Sequence, residues 1–527
     1  MIVPLRNPGP EKASGAQLPR EPRVLIVGAG FGGVAAAVEL SRHGFTDVRI
    51  LDAAPELGGT WFYNHYPGAA CDVPSHLYSF SFAQRRDWSR LCSPHDEILG
   101  YLRAVARDHG VDRLLTPNSR VSSCRFDEAS SHWRVETETG EHYEAEVIVL
   151  ATGQLNRPAI PRLPGLERFK GHSFHSARWD HEYELRDKRV AVVGTGASAV
   201  QFVPRVAEQA ARLTVFQRTP NWLLPRENRL YPRPLRALIE RVPAVQWLRR
   251  QWMFNYCEAL TMTIRHPRTV GRVMEARSRA FMRRQVPDPE LLATVIPDYA
   301  FGCKRVLFSS HYLPALARPN VELVTDGIVA VTEGGIRTDA GREHELDCII
   351  WSTGFRASEF MAPMRVTGTD GRELSEVWRH GAHAHLGITV PGFPSMFLMY
   401  GPNTNTSGGS IIVYLEAQAA YIRQALQRLR DGNFARLDVR SEVEAQSDRE
   451  TQARFAGTAW TGCDSWYRDE DGRIVANWPG YMREYLERTQ RFEPSEYEFA
   501  GARADGEFTS ASADAELTRA LPVGRLR

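Results

Sequence analysis

Two stretches of this chain share one plan and end in opposite charge. Gly28-Ala29-Gly30-Phe31-Gly32-Gly33 follows the apolar run Val24–Val27, and Gly194-Thr195-Gly196-Ala197-Ser198-Ala199 follows Val190–Val193. Each reads as a strand, a tight glycine turn and the start of a small-residue helix. Backbone N–H groups and a helix N-terminus then converge where a pyrophosphate would lie. Counting 24 residues on from the first glycine gives Asp52 in one unit, after Val48–Leu51, and Arg218 in the other, after Leu213–Gln217. A carboxylate accepts hydrogen bonds from free ribose hydroxyls and repels a 2′-phosphate, whereas an arginine pairs with one. The first unit therefore suits FAD and the second NADPH. One glycine fingerprint alone is weak, because many are only turns; two with charges at the same offset are much stronger.

The chain has 527 residues, enough for two or three domains with large cores. A formal charge of +2 argues for neither nucleic acid nor an anionic membrane as partner. No apolar run reaches the roughly 18 residues of a membrane span, and the Pro-rich start lacks the apolar core of a secretory signal. Seven cysteines without CxxC spacing predict reduced thiols in a cytosolic protein.

The predicted architecture is α/β, with two Rossmann-like dinucleotide-binding domains and a helical insertion. Residues 1–21 read as a tail and 22–153 as the first part of the FAD-binding domain. That part ends in Val147-Ile148-Val149-Leu150-Ala151-Thr152-Gly153. Residues 154–354 read as the NADPH-binding domain, ending in the parallel phrase Cys348-Ile349-Ile350-Trp351-Ser352-Thr353-Gly354, with 156–188 as linker. Residues 355–500 return to the FAD-binding domain and 501–527 form a second tail. A helical subdomain over about 221–300 interrupts the second unit. Within it Val245, Leu248, Trp252, Tyr256 and Leu260 share a face, and the spacing predicts that this face packs inward. Another helix is expected from Ile411 to Arg430, capped at Gly432, after the glycine-rich loop 401–409.

Two further strings turn from cofactors to reaction. Phe169-Lys170-Gly171-His172-Ser173-Phe174-His175-Ser176-Ala177-Arg178-Trp179-Asp180 resembles the fingerprint of type I Baeyer–Villiger monooxygenases, with Phe169, Gly171, His175, Trp179 and Asp180 in the specified places. Gly59-Thr60-Trp61-Phe62-Tyr63-Asn64-His65-Tyr66-Pro67-Gly68-Ala69-Ala70-Cys71-Asp72 resembles that family's second signature. The likeness runs from about Pro22 to Gly480. It implies NADPH- and O2-dependent oxygen insertion beside a ketone carbonyl, giving an ester or lactone through a C4a-peroxyflavin. It also implies that Arg305 is the active-site cation, that Asp72 orients it, and that Lys304 joins Arg218 and Thr219 at the 2′-phosphate. Gly59, Thr60 and Trp61 would lie against the flavin.

By residue type alone, Arg305 reads as a surface group and Asp72 as a turn carboxylate. His175 is expected to couple domain movement to nucleotide binding rather than to transfer protons. Ser465-Trp466, with Gly472, Asn477, Pro479 and Gly480, resembles a substrate loop, and Trp466 either lines the pocket or does not. The string Asn403-Thr404-Asn405-Thr406 departs from many family members. His380, His383 and His385 cluster without completing a metal-ligand spacing, so no metal is expected. A heteroatom oxygenase and an NADPH oxidase or reductase remain alternatives. The expected partners are a small ketone and O2.

Overall fold

The computed structural model describes residues 21–502, apart from 227, 407 and 470. The expected tails lie almost wholly outside these residues. In chain order, the strands of the two large sheets are β1 (Val24–Val27), β2 (Val48–Leu51), β3 (Leu115–Thr116), β4 (Val147–Leu150), β5 (His172–His175), β6 (Arg189–Val193), β7 (Arg212–Phe216), β8 (Val321–Val324), β9 (Cys348–Trp351) and β10 (Met396–Leu398). The first sheet runs β10-β4-β1-β2-β3 and the second β8-β7-β6-β9-β5, both parallel. β1 and β4 are buried along their whole length, which accounts for their uninterrupted apolar runs.

The two sheets repeat one arrangement. The strand before the glycine turn (β1 or β6) is central. The strand leading to the charged residue (β2 or β7) pairs on one side, and the strand leading out of the sheet (β4 or β9) pairs on the other. Gly28 and Gly194 have φ of +108° and +103°, and a Cβ on either would strike the carbonyl just past the exit strand, at Ala151 or Ser352. No other residue fits there.

Helices α1 (Phe31–Arg42) and α2 (Ala199–Ala207) follow the two turns. The insertion contains α3 (Arg233–Arg241), α4 (Pro243–Arg265) and α5 (Arg272–Gln285). The late helix α6 (Ile411–Asp431) packs on α1, and Gly432 donates to the Arg428 carbonyl as a cap.

Three expectations change. The segment 156–188 is more than a linker, because His172–His175 forms β5 at the edge of the second sheet, in register with β9. On α4 the helical period is right but the buried face is different. Met253, Phe254, Cys257 and Ile264 face inward, while Leu248, Trp252 and Tyr256 are exposed. The helix is apolar on more than one side, and periodicity alone does not choose between the sides. Finally, Cys303 is bridged to Cys463, so those two thiols are not free; the other five cysteines are free and buried. A pairing across 160 residues leaves no local spacing to read.

Candidate active site

Both glycine turns open on one cavity of about 1910 Å³. That is about twice the upper range for a pocket holding one small ligand. Gly28, Gly30, Asp52, Gly59, Thr60 and Trp61 line one part of it; Gly194, Gly196, Ser198, Arg218, Thr219 and Lys304 line another; Asp72, Arg305 and Trp466 line the space between. Gly33 and Ala199 do not line it. Gly33 lies behind the first turn, where a Cβ would strike the Gly28 carbonyl, and Ala199 is buried at the start of α2.

In the first unit, Asp52 accepts from Ala29 N at 2.5 Å and from Ala54 N at 2.7 Å. Burial raises its pKa, and these two N–H donors oppose the shift. The carboxylate thus braces the turn while facing the cavity. Gly59 abuts Gly30, so the second signature is pressed against the first. Trp61 is buried and donates Nε1–H to Tyr78 Oη at 3.1 Å.

In the second unit two cations converge. Burial lowers the Lys304 pKa, and the like charge of Arg218 lowers it further. Arg218 has no carboxylate partner among the described residues. Two neighbouring cations facing a cavity, only one of them with carboxylates (Asp298 and Asp464) nearby, fit a dianionic 2′-phosphate.

The centre is built on Asp72. Its Oδ1 lies 3.5 Å from Arg226 Nη1, and its Oδ2 lies 3.7 Å from Arg305 Nη2. Gln201 on α2 donates Nε2–H to Asp72 Oδ1 at 3.5 Å, and Tyr66 and Ala70 N donate to Gln201 Oε1. Arg226 also donates to the Cys71 carbonyl at 2.6 Å. The Asp72 side chain is only 11% exposed while that of Arg305 is 48% exposed, and this area opens into the cavity. Burial works against charge on Arg305, but Asp72, Tyr467 and Tyr400 more than offset it, and the guanidinium pKa rises. Burial pushes the hydroxyls of Tyr400 and Tyr467 up to about 12, so both keep their protons at neutral pH.

The fingerprint lies behind this centre. Gly171 is enclosed by the Phe169 ring and the Asp347 carbonyl. Gly171→Ala is expected to destabilise the fold by about 1–3 kcal/mol, read as a lower thermal midpoint, because the new methyl overpacks a site with no room. Asp180 lies 2.9 Å from His172 Nε2. Trp179 is buried against Phe174 and Phe202, and Phe202 meets Tyr66 edge to face at 5.8 Å. This aromatic chain joins the fingerprint, through α2, to the segment that carries Asp72.

His175 Nδ1 accepts from Ala177 N at 3.1 Å, and the ring meets Phe355 edge to face. Burial pushes its pKa down from 6.5 to about 4, so the imidazole is neutral at pH 7. The unfolded chain therefore binds this proton more tightly than the folded one. Stability is expected to fall as pH drops from about 6.5 to about 4, by about 1.4 kcal/mol per unit of separation between the two pKa values. Urea titrations across that range check this, and His175→Gln should flatten part of the slope.

The structure also brings in residues that sequence reasoning missed. Arg226, Gln201, Tyr400 and Tyr467 all reach the centre from distant segments, and no motif marks them. The departure at Asn403–Thr406 has a structural reason. Asn405 Nδ2 donates to Asn477 Oδ1 at 2.9 Å, and Asn403 N donates to the Val475 carbonyl at 2.8 Å. This locks the glycine-rich loop to the stretch after Trp466. Trp466 lies 4.4 Å from Tyr467, ring to ring, at the cavity wall. The Cys303–Cys463 bridge ties the segment of Lys304 and Arg305 to the same loop. His380, His383 and His385 contact three separate carboxylates, Asp471, Glu444 and Glu496.

The chain matches, over residues 25–240, a family model described as pyridine nucleotide-disulphide oxidoreductase. A Baeyer-Villiger monooxygenase of Streptomyces coelicolor is 42% identical over 480 residues, covering 90% of this chain and 92% of that protein. Among solved structures, an oxidised steroid monooxygenase bound to NADP superposes with a TM-score of 0.82 at 30% identity, covering 91% of this chain and 99% of that one. OTEMO in complex with FAD and NADP gives 0.83 at 26% identity, covering 92% and 100%. Motifs, twin sheets and near-full-length likeness agree: this chain belongs to the Baeyer–Villiger monooxygenase family and is a flavin monooxygenase driven by NADPH.

Proposed function

We propose that residues 22–153 and 355–500 hold FAD, that residues 154–354 hold NADPH, and that Arg305 and Asp72 direct oxygen insertion beside a ketone carbonyl to give an ester or lactone. The observation that carries this is the Asp72 carboxylate held between two arginines, one of which turns its free face into the cavity. Bound FAD, once reduced by NADPH, supplies the activated oxygen.

The chain's own residues do the rest. Gly28, Gly30 and Gly59 let the backbone approach the first dinucleotide, and Asp52 offers its carboxylate edge to ribose. Gly194 and Gly196 serve the second dinucleotide in the same way. Arg218 and Lys304, with Thr219, grip the 2′-phosphate. Arg305 stabilises negative charge on the carbonyl oxygen as the adduct forms, and keeps its own charge in a desolvated site. Asp72 fixes where that cation points. Tyr400 and Tyr467 stay protonated beside Arg305, with the Tyr400 hydroxyl donating to Asn405 Oδ1 at 2.9 Å. The loop 463–467, which lines the cavity, would keep water from the reacting centre. Phe169, Gly171, His175, Trp179 and Asp180 hold the two sheets in a working relation. None of these roles calls for a metal ion, and among the described residues no group of three or more His, Cys, Asp or Glu side chains comes together to hold one.

Among the described residues no helix is long and apolar enough to cross a membrane. Dependence on NADPH fits a cytosolic location, where the Cys303–Cys463 bridge would answer to the thiol pool. The test is product analysis with NADPH, labelled oxygen gas and a panel of ketones and thioethers. The expected product is an ester or lactone with one labelled oxygen atom. Sulfoxide alone, or hydrogen peroxide alone, would overturn the reading in favour of a heteroatom oxygenase or an oxidase.

A further inference from the structure

The charge balance of the whole chain conceals a strongly polarised insert. Residues 229–285 hold thirteen arginines against three glutamates, in a chain whose formal charge is only +2. Arg233, Arg241, Arg268, Arg272, Arg277 and Arg284 are exposed and have no carboxylate partner among the described residues. Beside them, α4 leaves Trp247 48%, Leu248 59% and Trp252 62% exposed. Leu230, Leu238 and Val273, from neighbouring parts of the insert, are exposed as well. Soluble surfaces carry single apolar residues freely, but two tryptophans and several aliphatics set among unpaired arginines mark a binding face.

The apolar stripe also leads inward. Trp252 stacks on Tyr256 at 5.6 Å, and Tyr256 and Leu260, on the same side of α4, line the large cavity. Arg277 on α5 lies close enough to Tyr256 to influence its hydroxyl, so cationic and apolar groups meet at this mouth.

We propose that the helical insert docks on an anionic lipid surface. Trp247, Leu248 and Trp252 enter the acyl boundary, and the exposed arginines pair with lipid phosphates. Charge complementarity selects this occupant. A second copy of the chain would bring one arginine-rich face against another, and the repulsion would oppose a two-fold dimer. Aliphatic groups at the centre of the face suit acyl chains better than nucleic-acid bases. Resting on the ketone-oxygenating function proposed above, the Trp252–Tyr256–Leu260 stripe then makes the substrate a lipophilic ketone, drawn from that surface into the cavity.

Docking is tested on the holoenzyme by co-sedimentation with vesicles of phosphatidylcholine alone and of phosphatidylcholine mixed with phosphatidylglycerol. The expected result is binding to the anionic vesicles only, weakening as salt rises. W247S/L248S, and separately R272E/R284E, should each weaken partitioning by about tenfold or more. Turnover of cyclohexanone in solution should be unchanged in both, showing that the variants fold. Equal binding to both vesicle types, or partitioning that neither variant alters, would overturn the proposal. A concentration-dependent dimer dissolved by W247S/L248S would also overturn it and give the face to a second copy. For a long-chain ketone dissolved in anionic vesicles, W247S/L248S should raise KM, while KM for cyclohexanone stays fixed. If no ketone is oxidised at all, vesicle binding still reports on docking, so the two readings fail separately.

Discussion

Arg305→Ala is expected to go on consuming NADPH while ester formation falls by about 100- to 1,000-fold, the usual cost of removing one group that stabilises a developing oxyanion. The structure explains why the loss should be selective. Arg305 follows Lys304 in the chain, but its side chain pairs with Asp72 and belongs to neither glycine turn, so neither dinucleotide seat depends on it for shape. Asp72 keeps Arg226 and Gln201 as partners in the variant, so the segment 66–72 stays in place. What disappears is the cation that pairs with Asp72 and turns its free face to the cavity. Arg305→Lys should recover only part of the rate, because an ammonium does not reproduce the planar fork facing Asp72. The check is a paired assay of NADPH consumed, hydrogen peroxide released and ester formed. Most reducing equivalents should leave as peroxide. Ester formation at the normal rate in Arg305→Ala would remove Arg305 from the chemistry.

Arg218→Ala is expected to raise KM for NADPH by about 10- to 100-fold while leaving KM for NADH within about twofold. The upper figure corresponds to losing a charge-assisted contact of about 2–3 kcal/mol. Lys304 remains and accounts for residual selectivity. Its pKa is lowered in the folded protein, by burial first and by Arg218 next. The 2′-phosphate favours its charged form, so NADPH affinity should weaken as alkaline pH takes its proton. Without Arg218 beside it, that weakening should move to higher pH. Steady-state kinetics with both nucleotides across the pH range read both effects. Equal losses for NADPH and NADH would show that Arg218 does not contact the phosphate.

Local features were legible in the sequence, and features made by folding were not. Gly28, Gly194, Asp52 and Arg218 belong to short strand–turn–helix units whose geometry follows from the backbone, so residue type and spacing were enough. The same holds for α6, whose start, length and cap are local. Asp72 and Arg305 were reached through motif likeness rather than through composition, since either residue alone is unremarkable. Arg226, Gln201, Tyr400 and Tyr467 meet Asp72 or Arg305 only because four separate segments converge, and nothing within any of those segments announces it. The Cys303–Cys463 bridge was missed for the same reason. The exposed face of α4 is not legible in the sequence because a period of 3.6 residues gives the stripe but not its neighbour. The edge strand His172–His175 looks like linker in the sequence because four residues bordered by polar sequence give too short a signal.

The contact between each first glycine and its exit strand has a mechanical consequence. The chain passes between the sheets just beyond β4 and just beyond β9, and these two passages lie side by side, with Ala159 N donating to the Gly354 carbonyl at 2.9 Å. Gly28 presses on the start of one passage and Gly194 on the start of the other. Both glycine turns thus sit beside the chain crossings between the two sheets. Any rotation about those crossings would displace the glycine turns least and the outlying helical insert most, like a door whose lock is set at the hinge. The substrate entrance would then sweep a wide arc while the two glycine turns moved little.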